Sequence, residues 1–144
     1  MQTFLPYANF SESAKCLDYK RLGKQRVEVL QILNALYGIS TGWKNHPAVK
    51  MWKGSEDWLV IYGTAICTEW KSRGYKDTCE DKIRNFYKNV ACNSNFPKWL
   101  KDDGSFICSS HRSALLFKNY EHYSRFNWKE KPEINYYWPT KNEL

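Results

Sequence analysis

The stretch from Leu17 to Leu36, LDYKRLGKQRVEVLQILNAL, constrains the fold more than any other segment of this chain. Leu22, Val29, Leu33 and Leu36 recur at helical spacing and make one apolar face of an amphipathic helix. A second stripe runs beside that face. Arg21, Lys24, Glu28 and Gln31 follow at intervals of three and four, so their side chains stack along one edge of the helix. The plain account is a solvated edge, with Lys24 and Glu28 as an i,i+4 pair worth about 0.2–0.5 kcal/mol. Two features ask for more. The stripe carries a single acid among bases and amides, and the chain around it is basic and rich in aromatic residues.

Helical periodicity continues along the chain. Ser11 or Ser13 is a suitable cap for the first helix, and Gly38 after Tyr37 is a natural stop. Residues 42 to 54 form a structured loop or short helix, because Pro47 disfavours helical backbone at His46. A second helix starts at Ser55, carries Trp58, Tyr62, Ala65, Ile66 and Trp70 on its period, and closes at Lys71, Arg73 and Gly74. Trp58, Tyr62 and Trp70 are expected in the core. The spacing predicts a third helix behind a Thr78–Asp81 capping motif, with Ile83, Phe86, Tyr87 and Val90. After an irregular connector, Ser109 or Ser110 opens a fourth, HRSALLFKNYEHY. No strand pattern competes. The expectation is an all-α, compact single-domain bundle of about four helices over residues 1–144. An extended N-terminal segment (Phe4, Leu5, Tyr7, Phe10) packs on its body, and the C-terminal tail is aromatic.

A chain of 144 residues is long enough to bury its own core as one domain. Its net charge of +7 points to a polyanionic partner, and the 17% aromatic content favours nucleic acid over a membrane, since ring faces stack on exposed bases. Five cysteines (Cys16, Cys67, Cys79, Cys92 and Cys108) form no CxxC pair, and His46, His111 and His122 form no HxxxH pair. That spacing argues against a metal site and a disulfide framework, and for free, buried thiols in a reducing compartment. The opening MQTFLPYANF lacks the charge and apolar run of a signal peptide, and no stretch reaches the ~20 apolar residues of a membrane span. A cytoplasmic, monomeric protein working without cofactor or metal is expected.

Four segments carry a family resemblance: RLGKQRVEVLQIL, KNHPAVKMWKG followed by DWLVIYGTAICTEWKSRGY, SSHRSALLFK, and NYYWP. In content and order they resemble the pyrimidine-dimer DNA glycosylase and AP lyase family, the endonuclease V type of repair enzyme. GKQRVE, NHPAVKMW and HRSALL mark a distinct subfamily within that likeness.

The resemblance implies that double-stranded DNA with a damaged or modified base is the partner. It implies a nucleophilic N-terminal α-amine that attacks C1′ to form a Schiff base, with a glutamate assisting ring opening and elimination. Glu28 falls on the catalytic glutamate. Gln2 is too bulky to favour removal of the initiator methionine, so the amine is expected to be that of Met1. An α-amine with a pKa of about 7.7–8.0 is appreciably neutral at physiological pH, unlike a lysine near ~10.4. Lys24 is the alternative amine if its cationic neighbours depress its pKa. Expected DNA contacts on the first long helix are Arg21, Gln25, Arg26 and Gln31, the last standing where the family has a phosphate-binding arginine. Asn45, His46 and Lys50 are expected to contact DNA from the middle loop. His111, Arg112, Ser113 and Lys118 are expected to open and line the fourth helix, whose N-terminal amides suit a phosphate. Tyr137 and Trp138, beside Tyr136, are placed to stack on a base or to plug the core. Two other functions fit the same residues: a non-catalytic nucleic-acid-binding module, and an enzyme of modified-nucleotide metabolism.

Overall fold

The computed structural model describes residues 1–87 and 95–139. Val90 and Cys92 lie outside the described residues. Those described form seven α-helices, one 3-10 turn and no strand: α1 (Phe10–Cys16), α2 (Tyr19–Leu36), α3 (Pro47–Lys50), α4 (Glu56–Ser72), α5 (Glu80–Tyr87), α6 (Phe106–Lys118) and α7 (Tyr120–Tyr123), the turn following at Ser124–Phe126. The expected all-α bundle is the observed architecture, with its long helices interrupted. Among the described residues no helix is long and apolar enough to cross a membrane.

Helix α4 is the hub, packed against α1, α2 and α5. Leu59, Tyr62 and Ile66 on α4 meet Leu22, Val29, Ile32 and Leu33 on α2, all with 0% exposure. The helices approach closely at Gly63, where an added Cβ would lie 2.7 Å from Val29 Cγ1 and 3.2 Å from Ile83 Cγ2. Tyr62 is fully buried as expected, whereas Trp58 and Trp70 are only partly buried at the edge of the core. The four described cysteines are free and buried.

Boundaries differ from the sequence expectation where tertiary partners claim a capping side chain. Asn9, not Ser11 or Ser13, caps α1, its Oδ1 accepting from Glu12 N–H at 2.9 Å. Ser13 is buried and bonds both polar backbone groups of Tyr7. The chain then breaks at Leu17 and Asp18, because the Tyr123 hydroxyl donates to the Asp18 carboxylate and accepts from its backbone N–H. Asp77 accepts from the Cys79 and Glu80 amides ahead of α5, the role expected of the Thr78–Asp81 motif. Helix α6 begins at Phe106, before Ser109, and ends at Asn119, which caps α7.

The N-terminal segment is seated deep in the bundle. Gln2, Thr3, Phe4 and Leu5 are buried between α2, α4, α6 and the α3 loop. Its backbone is held by Gln25 on α2, Tyr62 on α4 and His111 on α6, while Trp52 Nε1 donates to Thr3 Oγ1 at 3.0 Å. The tail returns along α6: Trp128 stacks on Tyr123 and donates to the Tyr7 hydroxyl, and Glu130 pairs with Arg112.

His111 has 0% exposure, and its Nδ1 accepts from Leu5 N–H at 2.8 Å. Burial, then the Arg112 charge, depresses its pKa to about 3. An unfolded histidine takes up its proton near pH ~6.5. The buried neutral ring therefore contributes nothing differential above that value, and stability is lost as pH falls from there toward the folded pKa, at up to ~1.4 kcal/mol per pH unit. His111→Asn retains an acceptor for Leu5. In urea melts at pH 7.5, 6 and 5 it should flatten the loss of stability on acidification; an unchanged slope would place the acid-sensitive group elsewhere.

Candidate active site

The α2 stripe is only in part a solvated edge: Lys24 and Gln31 are exposed, but Glu28 is buried. Tyr19–Leu36 turns Gln25 and Glu28, one helical turn apart, inward beneath the N-terminal segment, where they are 1% and 7% exposed. The two carboxylate oxygens of Glu28 have different neighbours. Oε2 accepts from Gln25 Nε2 at 2.7 Å. Oε1 faces two amines, the Met1 α-nitrogen at 4.0 Å and Lys24 Nζ at 3.9 Å. Both separations exceed a direct hydrogen bond and leave room for a bridging atom. The two amines differ in setting: the Lys24 side chain is three-quarters exposed, whereas that of Met1 is 3% exposed and packs on the core.

These groups line a cavity of about 390 Å³ with Gln2, Phe4, Lys20, Arg21, Lys118 and Tyr136. Four side-chain cations surround one acid. Burial pushes the Glu28 carboxyl above the usual carboxylate range, and the Met1 ammonium, Lys24, the Gln2 amide and Gln25 offset this only in part. Lys118 is depressed by burial and by Arg21 and Lys24. Bringing an anion into the cavity relieves that cationic repulsion. Arg21 is aimed over the cavity by Asp18, 3.3 Å away. Burial alone would raise Asp18, but the Tyr123 hydroxyl and Arg21 hold its carboxyl below the ordinary range. Gln2 contributes a strained element: its Nε2 is buried with no hydrogen-bond partner among the described residues, a cost of about 1–3 kcal/mol.

Of the residues expected from sequence, Met1, Arg21, Lys24, Gln25, Glu28 and Lys118 come together here. His46 lies close by. Its Nδ1 caps α3 by accepting from Ala48 N–H, and its ring packs edge-on against Trp138, which in turn meets Tyr136. Burial and the nearby Met1 ammonium lower its pKa. Asn45 and Lys50 instead line a separate depression with Lys44 and Lys53, and Gln31 is exposed away from the cavity. Tyr137 sits on another shallow surface against Phe106, alongside Trp138.

Four residues expected on DNA are engaged within the fold. Arg26 pairs with Asp77 at 2.7 Å and lies over the Trp70 ring. His111 sits in the middle of α6 against Leu5, because that helix starts earlier than its serines suggest. Arg112 bonds Glu130 and the Pro6 and Asp103 carbonyls, and Ser113 donates to the Lys131 carbonyl. Sequence reasoning missed Gln2, Phe4 and Lys20 as cavity walls, whereas Tyr136, expected to stack on a base or plug the core, lines the cavity. Lys20 was within reach of it, one turn before Lys24. Gln2 and Phe4 enter through tertiary hydrogen bonds to Gln25 that carry no local signal.

The sequence model described as pyrimidine dimer DNA glycosylase matches residues 1–83. The chain belongs to this family. Neither a curated protein nor a solved structure matches it. The matched part holds the N-terminal segment and α2, and so Met1, Gln2, Lys20, Arg21, Lys24, Gln25 and Glu28; Lys118 and Tyr136 close the cavity from outside it.

A buried acid with a raised pKa favours the folded state when protonated. That contribution is present below the ordinary glutamate range and lost as pH rises through the folded value, so ionised Glu28 destabilises the protein at neutral pH. Glu28→Gln keeps the size and an acceptor for Gln25. Its melting temperature should exceed that of the parent at pH 7.5, with the advantage shrinking at pH 4. A lower value at pH 7.5 would contradict this electrostatic account of the site.

Proposed function

We propose that this protein is a DNA glycosylase with AP-lyase activity that excises a damaged or modified pyrimidine through the Met1 α-amine and Glu28. The observation that carries the reading is the chain terminus, anchored by its buried Met1 side chain and facing Glu28 Oε1 at 4.0 Å within a cationic cavity. The neutral amine attacks C1′ of the target nucleotide, the bond from C1′ to the base breaks, and the base leaves. The amine gives up a proton and the C1′–O4′ bond opens, its electron pair going to the ring oxygen, which takes up that proton, so that a protonated Schiff base stands at C1′. Glu28 Oε1, beside the amine, then removes a proton from C2′, and the 3′ phosphate is expelled. A carboxylate whose pKa is raised by burial is a stronger base than an ordinary one, which suits it to taking up a proton. Lys20, Arg21, Lys24 and Lys118 supply the sequence-independent attraction for phosphates that flank the target. Base extrusion costs a few kcal/mol, which these cations offset.

Glu28→Gln separates chemistry from binding. Turnover on lesion-bearing duplexes should fall on the order of 10²-fold or more, as for loss of a positioned acid–base group. The Kd for DNA should stay within about threefold, since only an interaction made in the transition state is removed. Near-parental turnover would take Glu28 out of the mechanism. Lys118→Ala should weaken binding to all duplexes alike and flatten the slope of log K against log salt by ~0.9 for each phosphate it no longer neutralises. An unchanged slope would place DNA away from this wall of the cavity.

A further inference from the structure

Gln25 was expected to touch the nucleotide, and the fold leaves it no polar valence for that. Its Oε1 accepts from Phe4 N–H at 2.9 Å and lies 2.7 Å from the Tyr62 hydroxyl. Its Nε2 donates to the Gln2 carbonyl at 2.9 Å and to Glu28 Oε2 at 2.7 Å. A primary amide has two donor hydrogens and two acceptor lone pairs, so these four partners use it completely. They also fix its orientation, because the Phe4 N–H requires the oxygen and the Gln2 carbonyl requires the nitrogen. One planar group thus grips the N-terminal segment at residues 2 and 4 and grips Glu28 at the same time.

We propose that Gln25 is a positioning residue that sets the register between the Met1 α-amine and Glu28, and that occupies Oε2 so that Oε1 alone faces the reacting atoms. The inference rests on the glycosylase reading of the cavity. No other side chain of similar size serves all four partners. A glutamate accepts from Phe4 and Tyr62 but donates to the Gln2 carbonyl only if it keeps a proton. A leucine takes the partner away from the Phe4 N–H, the Gln2 carbonyl and Glu28 Oε2. Tyr62 is the brace behind Gln25. It has 0% exposure, stands outside the cavity lining, and its hydroxyl also lies 2.8 Å from the Phe4 carbonyl.

The test pairs Gln25→Glu with Tyr62→Phe and reads two quantities. One is the titration of the Glu28 carboxyl in free protein, followed by carbon-13 NMR. The other is the pH profile of borohydride trapping on a duplex with one abasic site, with Kd measured alongside. In Gln25→Glu the new carboxyl must share a proton with Glu28. The Glu28 titration should move to higher pH, and the acid limb of the trapping profile should move with it. Trapping at neutral pH should fall on the order of 10²-fold, the cost of misplacing a reacting pair. Tyr62→Phe should lower trapping about tenfold, as for one buried hydrogen bond. Kd should remain within about threefold in both variants. Parental trapping rates in both, or a fall in trapping with the Glu28 titration unmoved in Gln25→Glu, would overturn the proposal. If the Glu28 titration moves but the parent protein itself does not trap, Gln25 still positions Glu28 and it is the glycosylase reading that fails. Should Gln25→Glu not fold, Tyr62→Phe decides alone: slower trapping at unchanged Kd supports the proposal and a parental rate overturns it.

Discussion

The seating of the N-terminal segment is the constraint on which the rest of this structure depends. Residues 2 to 5 are buried, and the Gln2 carbonyl, both polar backbone groups of Phe4 and the Leu5 N–H are met by side chains from three helices. Each such bond contributes only about 1 kcal/mol net, but a buried amide or carbonyl left unmet would cost about 1–3 kcal/mol. The arrangement is therefore close to all-or-none: the segment is either fully bonded or out of its groove. Burial of Phe4 and Leu5 supplies the drive, at about 1.5–3 kcal/mol for each side chain. A chain terminus is ordinarily the least ordered part of a domain. Here it is fixed four residues from a fully buried leucine, and this makes an α-amine usable as a positioned group.

The same seating creates the electrostatic character of the cavity. The segment covers Glu28 and removes it from water, so the carboxyl resists ionisation although two amines face it. Across the cavity, Lys118 is held among Arg21 and Lys24 with Glu28 as a counter-charge. Both features cost folding stability at neutral pH, and an anion in the cavity relieves the second. The fold tolerates them because the core beneath, centred on α4 and its close approach to α2 at Gly63, shares Phe4 with the cavity walls but none of their charged groups.

Much of the fold was legible in the sequence, because it rests on local periodicity. Helix α4 begins and ends, and α2 ends, within about two residues of the predicted limits, and the middle loop contains a short helix after its proline. The interruptions were not legible. Asp18 breaks a helical pattern for Tyr123, 105 residues away, and Asn119 divides the last pattern by capping α7. Site residues divide in the same way. Glu28, Lys24 and Arg21 were marked by a stripe of one acid among bases, and the stripe is real along one edge. Periodicity assigns a face, however, and not what covers it. The burial of Gln25 and Glu28 comes from a segment more than twenty residues away in sequence. Likewise HRSALL has the composition of a phosphate-binding segment, yet three of its residues are held by the N-terminal segment and the tail.

The central claim is that the terminal amine is the nucleophile, and the most direct measurement locates the covalent bond. The full-length protein is incubated with a duplex carrying one abasic site, reduced with borohydride, digested and mapped by mass spectrometry. The account predicts a single adduct on the N-terminal peptide, at the Met1 α-nitrogen, the amine held beside Glu28 Oε1 with its side chain buried. An adduct on Lys24, or base release with no adduct anywhere, would contradict it.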